Sequence, residues 1–117
     1  MNRLTYLLKA KTEYNLHSPF IYRLYTQVIT THKHDFTQLV NALADWSSAY
    51  GSELHPNSAL ISSPLGEFMV VRSPHSNRQA EQQFQQLQQQ YPVSIDLYRM
   101  AVLIRSPKLH PQKFILR

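Results

Sequence analysis

The spacing of apolar residues first changes at Gly51, and that change constrains the fold more than any single motif. Before it, apolar positions recur at steps of three and four: Leu4, Leu7 and Leu8, then Phe20, Ile21, Leu24, Tyr25, Val28 and Ile29, then Phe36, Leu39, Val40, Leu43, Trp46 and Tyr50. That spacing predicts three amphipathic helices, over residues 3 to about 12, 18 to about 31 and 36 to 50. Ser18-Pro19 suits the start of the second, with Ser as cap and Pro in the first helical position. Asp35 followed by Gln38 is a capping-box pattern ahead of the third, and Gly51 is expected to end it in a left-handed conformation.

From Ser52 the period changes, and strands flank one helical tract. Ala59-Leu-Ile61 follows a turn at His55-Pro-Asn-Ser58, and Phe68-Met-Val-Val71 is a continuous apolar run of the kind buried on both faces. The two are compatible with a hairpin or with a covered parallel arrangement. Ser76 and Gln79 repeat the capping-box spacing before a Gln-rich tract in which Ala80, Phe84, Leu87 and Tyr91 share one helical face, so the glutamines read as a polar helix surface. Tyr91-Pro92 ends that helix. Val93, Ile95 and Leu97 alternate with polar residues, and Met100-Ala-Val-Leu-Ile104 supplies a partner for an antiparallel pair. Lys113-Phe-Ile-Leu-Arg117 is expected to add an edge strand whose charged ends discourage aggregation.

With 117 residues, one domain is expected over 1–117, helical over 1–51 and strand-helix-strand over 52–117. The absence of cysteine excludes disulfides, thiol nucleophiles and Cys-ligated zinc. No apolar stretch approaches the length that spans a bilayer, and Thr5-Tyr-Leu-Leu8, followed by Lys9 and Lys11, is too short for a signal peptide. Cytoplasmic residence and no membrane partner are the expectations. A net charge of +5 keeps a polyanionic partner in view.

Two phrases carry a family resemblance. Asn15-Leu-His-Ser-Pro-Phe-Ile-Tyr22 and Ser94-Ile-Asp-Leu-Tyr-Arg-Met100, with the aliphatic strand after it and the closing Lys113-Phe-Ile-Leu-Arg117, resemble the first helices and last strands of a bacterial class I S-adenosylmethionine-dependent methyltransferase family. The resemblance covers residues 1–31 and 58–117. It implies an α/β fold of Rossmann-like, truncated methyltransferase type, a small mixed sheet of four or five strands with N-terminal helices and an antiparallel C-terminal strand pair. Only residues 32–57 stand where the family has its cofactor-binding half. Neither of the two glycines, Gly51 and Gly66, lies in the Gly-rich strand-to-helix turn that the cofactor requires. The resemblance thus implies S-adenosylmethionine while the chain lacks its motif, and no cofactor is expected. Arg72-Ser73-Pro74 stands where the family tends to be acidic, and no catalytic residue is carried over.

Other residues give less. His32-Lys-His34, with Asp35 adjacent and His55 as a further partner, matches no established metal-ligand spacing and reads as an exposed loop. His17 has no nucleophile or acid beside it in sequence. Asp96 is expected to pair with Arg99 or Arg105. For nucleic acid, Tyr98, Arg99, Arg105, Lys108, His110, Lys113 and Arg117, joined by Arg3, Lys9, Lys11 and Arg23, are the candidate contacts, with Tyr98 stacking a base. The leading expectation is a non-catalytic, methyltransferase-like interaction module that binds a protein partner or dimerises, with Tyr22, Arg23, Tyr25 and Arg99 as its contact surface. The alternatives are a basic RNA- or DNA-binding module and a partial methyltransferase completed by a partner chain.

Overall fold

A computed structural model describes residues 19–107, 109 and 111–116. The predicted first helix, His17, Ser18, Lys108, His110 and Arg117 lie outside the described residues. The element order is α1, formed by the consecutive stretches Pro19–Leu24, Tyr25–Ile29 and Thr30–His32, then α2 Phe36–Ser47, β1 Gly51–Leu54, β2 Ser58–Ser63, β3 Gly66–Arg72, α3 Arg78–Gln90, β4 Val93–Asp96, β5 Met100–Arg105 and β6 Gln112–Ile115.

The strands form one mixed sheet in the order β1-β2-β3-β5-β4-β6, antiparallel throughout except for the parallel pair β4 and β6. The α/β class and the antiparallel β4–β5 pair agree with the sequence reading, and β2 and β3 form the hairpin. The sheet has six strands rather than four or five: the expected C-terminal edge strand is present as β6, and β1, a short segment with no hydrophobic pattern, adds the other edge. β1 is exposed along its whole length, so no apolar alternation marks it in the sequence.

Alternation along each strand divides the core in two. Ala59, Ile61, Phe68, Val70, Val93, Ile95, Val102 and Ile104 face α1 and α2, meeting Ile21, Leu24, Val28, Ile29, Leu39 and Leu43. Ala101 and Leu103 face the other way, against Phe84 in the middle of α3 and Tyr91 just past its end. β5 is therefore buried on both faces, which is why its sequence is a continuous apolar run.

The helix ends follow local chemistry. Within α1 the Thr30 N–H donates to the Tyr25 carbonyl five residues back, a π-type turn, and the Thr26 and Thr30 hydroxyls donate to carbonyls one turn earlier. Asp35 caps α2 by accepting the Gln38 N–H at 3.0 Å. α2 stops at Ser47, with Ser48 in the left-handed region at φ 58, ψ 49. Gly51, expected to end that helix, instead opens β1, and Tyr50 lies outside the helix. Asn77, one residue later than the Ser76 indicated by spacing, caps α3 by accepting the Ala80 N–H at 2.8 Å.

Candidate functional site

One end of the sheet gathers segments that are far apart in sequence. β3 leaves the sheet at Arg72 opposite Met100, where β5 enters it, and β4 leaves at Asp96 opposite Ala101. The turn between α1 and α2 lies at this same end, because the Arg72 guanidinium sits 4.5 Å from the centroid of the Phe36 ring in the first turn of α2. α3 also starts here, after the loop 73–77 that follows β3. Two backbone hydrogen bonds knit the end together, from the Arg72 N–H to the Asn57 carbonyl and from the Ser73 N–H to the Arg99 carbonyl, each 2.8 Å.

Beneath these loops lies a buried imidazole. The His75 Nε2–H donates to Asp96 Oδ2 at 2.6 Å, and both side chains are only 6% exposed. A Glu81 carboxylate oxygen stands 3.9 Å from His75 Nδ1. The Tyr98 ring stacks on the imidazole, 5.5 Å between centroids at 24°, and Phe84 meets it edge-on at 5.7 Å. The second Asp96 oxygen accepts the Tyr98 N–H at 2.9 Å, which supports Tyr98 in the left-handed region at φ 71. Such a conformation costs a non-glycine residue about 1–2 kcal/mol, so a charge-assisted hydrogen bond offsets much of it.

A carboxylate that orients a histidine is the arrangement used in general acid–base catalysis. Here its burial makes it a pin. One carboxylate joins the loop after β3, the β4–β5 turn and the end of β4, and so fixes the backbone on which Arg72 and Arg99 stand.

The surface above this pin is basic. Arg72, Arg78 and Arg99 are exposed and Lys33 is half-buried in the α1–α2 turn. The carboxylates near them are engaged: Asp35 caps α2, Asp96 holds His75, and Glu81 stands beside the same imidazole. A cleft of about 390 Å³ opens between α3 and the strands, lined by Asn57, Arg72, Ser73, Ser76, Asn77 and Gln83 among others. At the opposite end of the sheet, Arg105 is neutralised by Glu67 at 2.8 Å and lies 4.6 Å from the centroid of the Tyr91 ring. The Glu67 hydrogen bond raises the Arg105 pKa further, against a smaller opposing effect of burial.

The residues singled out in the sequence are dispersed. Tyr22 is 44% exposed and Arg23 is exposed, whereas Tyr25 is 5% exposed and packs in the core, so Tyr25 offers no contact surface. The start of α1 borders a cleft with the β2–β3 turn and Ser106, at the end of the sheet away from Arg99. The four residues therefore do not form one patch. Asp96 pairs with His75 rather than with Arg99 or Arg105. Tyr98 stacks on His75, which takes one face of its ring away from any base. Of the basic constellation expected for nucleic acid, Arg99 is at the basic end, while Arg105 is at the other end and Lys113 is on edge strand β6. Among the described residues no group of three or more His, Asp or Glu side chains is placed to hold a metal ion, so His32, His34 and His55 do not converge.

The cofactor implied by the resemblance does not fit the described glycines. A Cβ on Gly66 would lie 2.6 Å from the Arg105 carbonyl oxygen, so its close approach is to the chain itself, and Gly51 has nothing within 4 Å. Neither stands between a strand and a helix that could face a nucleotide. No helix among the described residues is long and apolar enough to cross a membrane. No protein-family model, curated protein or solved structure matches the chain.

Proposed function

We propose that the chain is a binding module for the phosphate backbone of nucleic acid, with the basic end of the sheet as its working surface. The observation that carries this reading is that Lys33, Arg72, Arg78 and Arg99 stand on four separate segments that meet at one end of the sheet, where Asp35 caps α2 and Asp96 holds the buried His75. Cations clustered above a polar cleft bind phosphates by neutralising charge and releasing counterions, without reading base sequence. Single strands are the favoured form, since their backbone can follow a short, uneven surface.

The kinship with class I methyltransferases belongs to the same reading. It is supported by the run β3, α3, β4, β5, a strand and helix followed by an antiparallel strand pair, which is how those domains finish. The antiparallel β1–β2–β3 meander occupies the place of the family's cofactor half, and binding without methyl transfer is the function that remains.

The test is fluorescence anisotropy of a labelled single-stranded oligonucleotide titrated with the protein. Wild type should bind, and Arg72→Glu with Arg99→Glu should weaken binding by roughly a hundredfold if each reversal removes one phosphate contact and adds a repulsion. Equal binding by wild type and this double variant would sink the reading.

A further inference from the structure

The free edge of the sheet carries a second, independent feature. His55 donates its N–H to the Ser58 carbonyl at 2.8 Å, directly across the β1–β2 register. In an antiparallel ladder the bonding direction alternates along the strand. Glu53 and His55 therefore turn their backbone groups toward β2, and Ser52 and Leu54 turn theirs outward. Every residue of β1 is exposed, Leu54 at 68%, and Tyr50 beside it at 78%. On the α3 side of the sheet, Glu53 and His55 sit one register step apart, with 3.2 Å between the Glu53 carboxylate and His55 Nε2.

We infer that this edge pairs with the β1 edge of a second copy of the chain, antiparallel, about a twofold axis at Leu54. In that register Leu54 faces Leu54 of the other copy as a hydrogen-bonded pair, with each N–H donating to the other's carbonyl. Glu53 then stands opposite His55 of the other copy, and His55 opposite its Glu53, as non-hydrogen-bonded pairs in which side chains are closest. The edge is thus complementary to itself in side-chain chemistry, carboxylate to imidazole, as well as in backbone. The register one step away, about Glu53, would set two Glu53 carboxylates against each other. Pairing at Leu54 joins the two six-stranded sheets into one of twelve and covers two exposed leucines. A closed twofold contact uses both β1 edges at once, so this contact ends at two copies.

Sedimentation equilibrium over a wide concentration range tests this. Wild type should show a reversible monomer–dimer equilibrium. Glu53→Lys and His55→Glu should each weaken it by roughly tenfold, because every substitution enters twice in a twofold interface. The exchange Glu53→His with His55→Glu restores both cross-strand pairs and should recover dimerisation. Circular dichroism of each variant checks that β1, which is exposed already, tolerates the changes without unfolding. A wild type that stays monomeric to millimolar concentration would overturn the inference, as would single variants that dimerise like wild type or an exchange variant that stays as weak as the singles. The oligonucleotide titration does not depend on β1, so failure of either proposal is seen separately.

Discussion

Replacing Asp96 with alanine removes the pin beneath the basic end. The carboxylate and its imidazole partner are each 6% exposed at 2.6 Å separation, and its second oxygen accepts the Tyr98 N–H. Removing the carboxylate leaves the buried imidazole N–H without its acceptor, which costs about 1–3 kcal/mol, and a lost amide acceptor adds about 1 kcal/mol. Glu81 stands 3.9 Å from the same imidazole, and the two losses together come to about 3 kcal/mol. For a chain of this size that is a fall in Tm of roughly 10 °C.

Urea unfolding of Asp96→Ala, His75→Ala and the double variant measures it. The two single losses should overlap, with a coupling energy of at least about 1 kcal/mol. Glu67→Ala is the internal comparison. The Arg105–Glu67 pair is as short as many buried ones, but its side chains are 49% and 43% exposed, so its loss should cost no more than about 0.5 kcal/mol. Equal costs for Asp96→Ala and Glu67→Ala, or additive losses at His75 and Asp96, would refute the argument that burial sets the value of this contact.

Two further outcomes follow from local geometry. Gly66 has φ 132, and an added Cβ would meet the Arg105 carbonyl at 2.6 Å, so Gly66→Ala should cost at least about 2 kcal/mol in urea unfolding; a near-neutral result would mean the β2–β3 turn relaxes freely. Burial pushes the Tyr91 phenol above its ordinary range, partly opposed by the Arg105 charge. The folded-state pKa is raised, so this contribution to stability is complete below the ordinary phenol range and is lost as pH climbs through it toward the folded value. Tyr91→Phe should therefore flatten the alkaline decline in stability, and a decline identical to wild type would exclude Tyr91 as its source.

The elements with strong patterns were legible in the sequence. Phe68 to Val71 and Met100 to Ile104 read as strands from their continuous apolar runs, though only the second is buried on both faces, Met69 and Val71 being half-buried, and Phe84, Leu87 and Tyr91 marked the inner face of α3. β1 was not legible because its register with β2 is held by backbone bonds alone, leaving no apolar alternation to read. Gly51 misled for a related reason: Ser48 took the left-handed position, which a serine with a cooperating backbone can do. At the basic end, Arg99 was visible but its neighbours were not. Lys33, Arg72 and Arg78 form no cluster in sequence: pairing of β3 with β5 sets Arg72 near Arg99, the loop 73–77 carries Arg78, and the contact of Phe36 with Arg72 brings the α1–α2 turn with Lys33. His75 was missed altogether, since its partner Asp96 lies 21 residues away and nothing in Pro74-His75-Ser76 signals burial. The available hint was a histidine just beyond a buried strand and an aspartate closing the next one.

The salt dependence of oligonucleotide binding is the decisive check on a phosphate-binding surface at this end of the sheet. If Lys33, Arg72, Arg78 and Arg99 each neutralise one phosphate, the logarithm of the binding constant should fall with the logarithm of salt concentration at a slope of roughly −3, at about −0.7 per contact for a single strand. Arg99→Gln should make that slope shallower by about 0.7. A slope near zero, or one that Arg99→Gln leaves unchanged, would contradict a phosphate-binding surface at this end of the sheet.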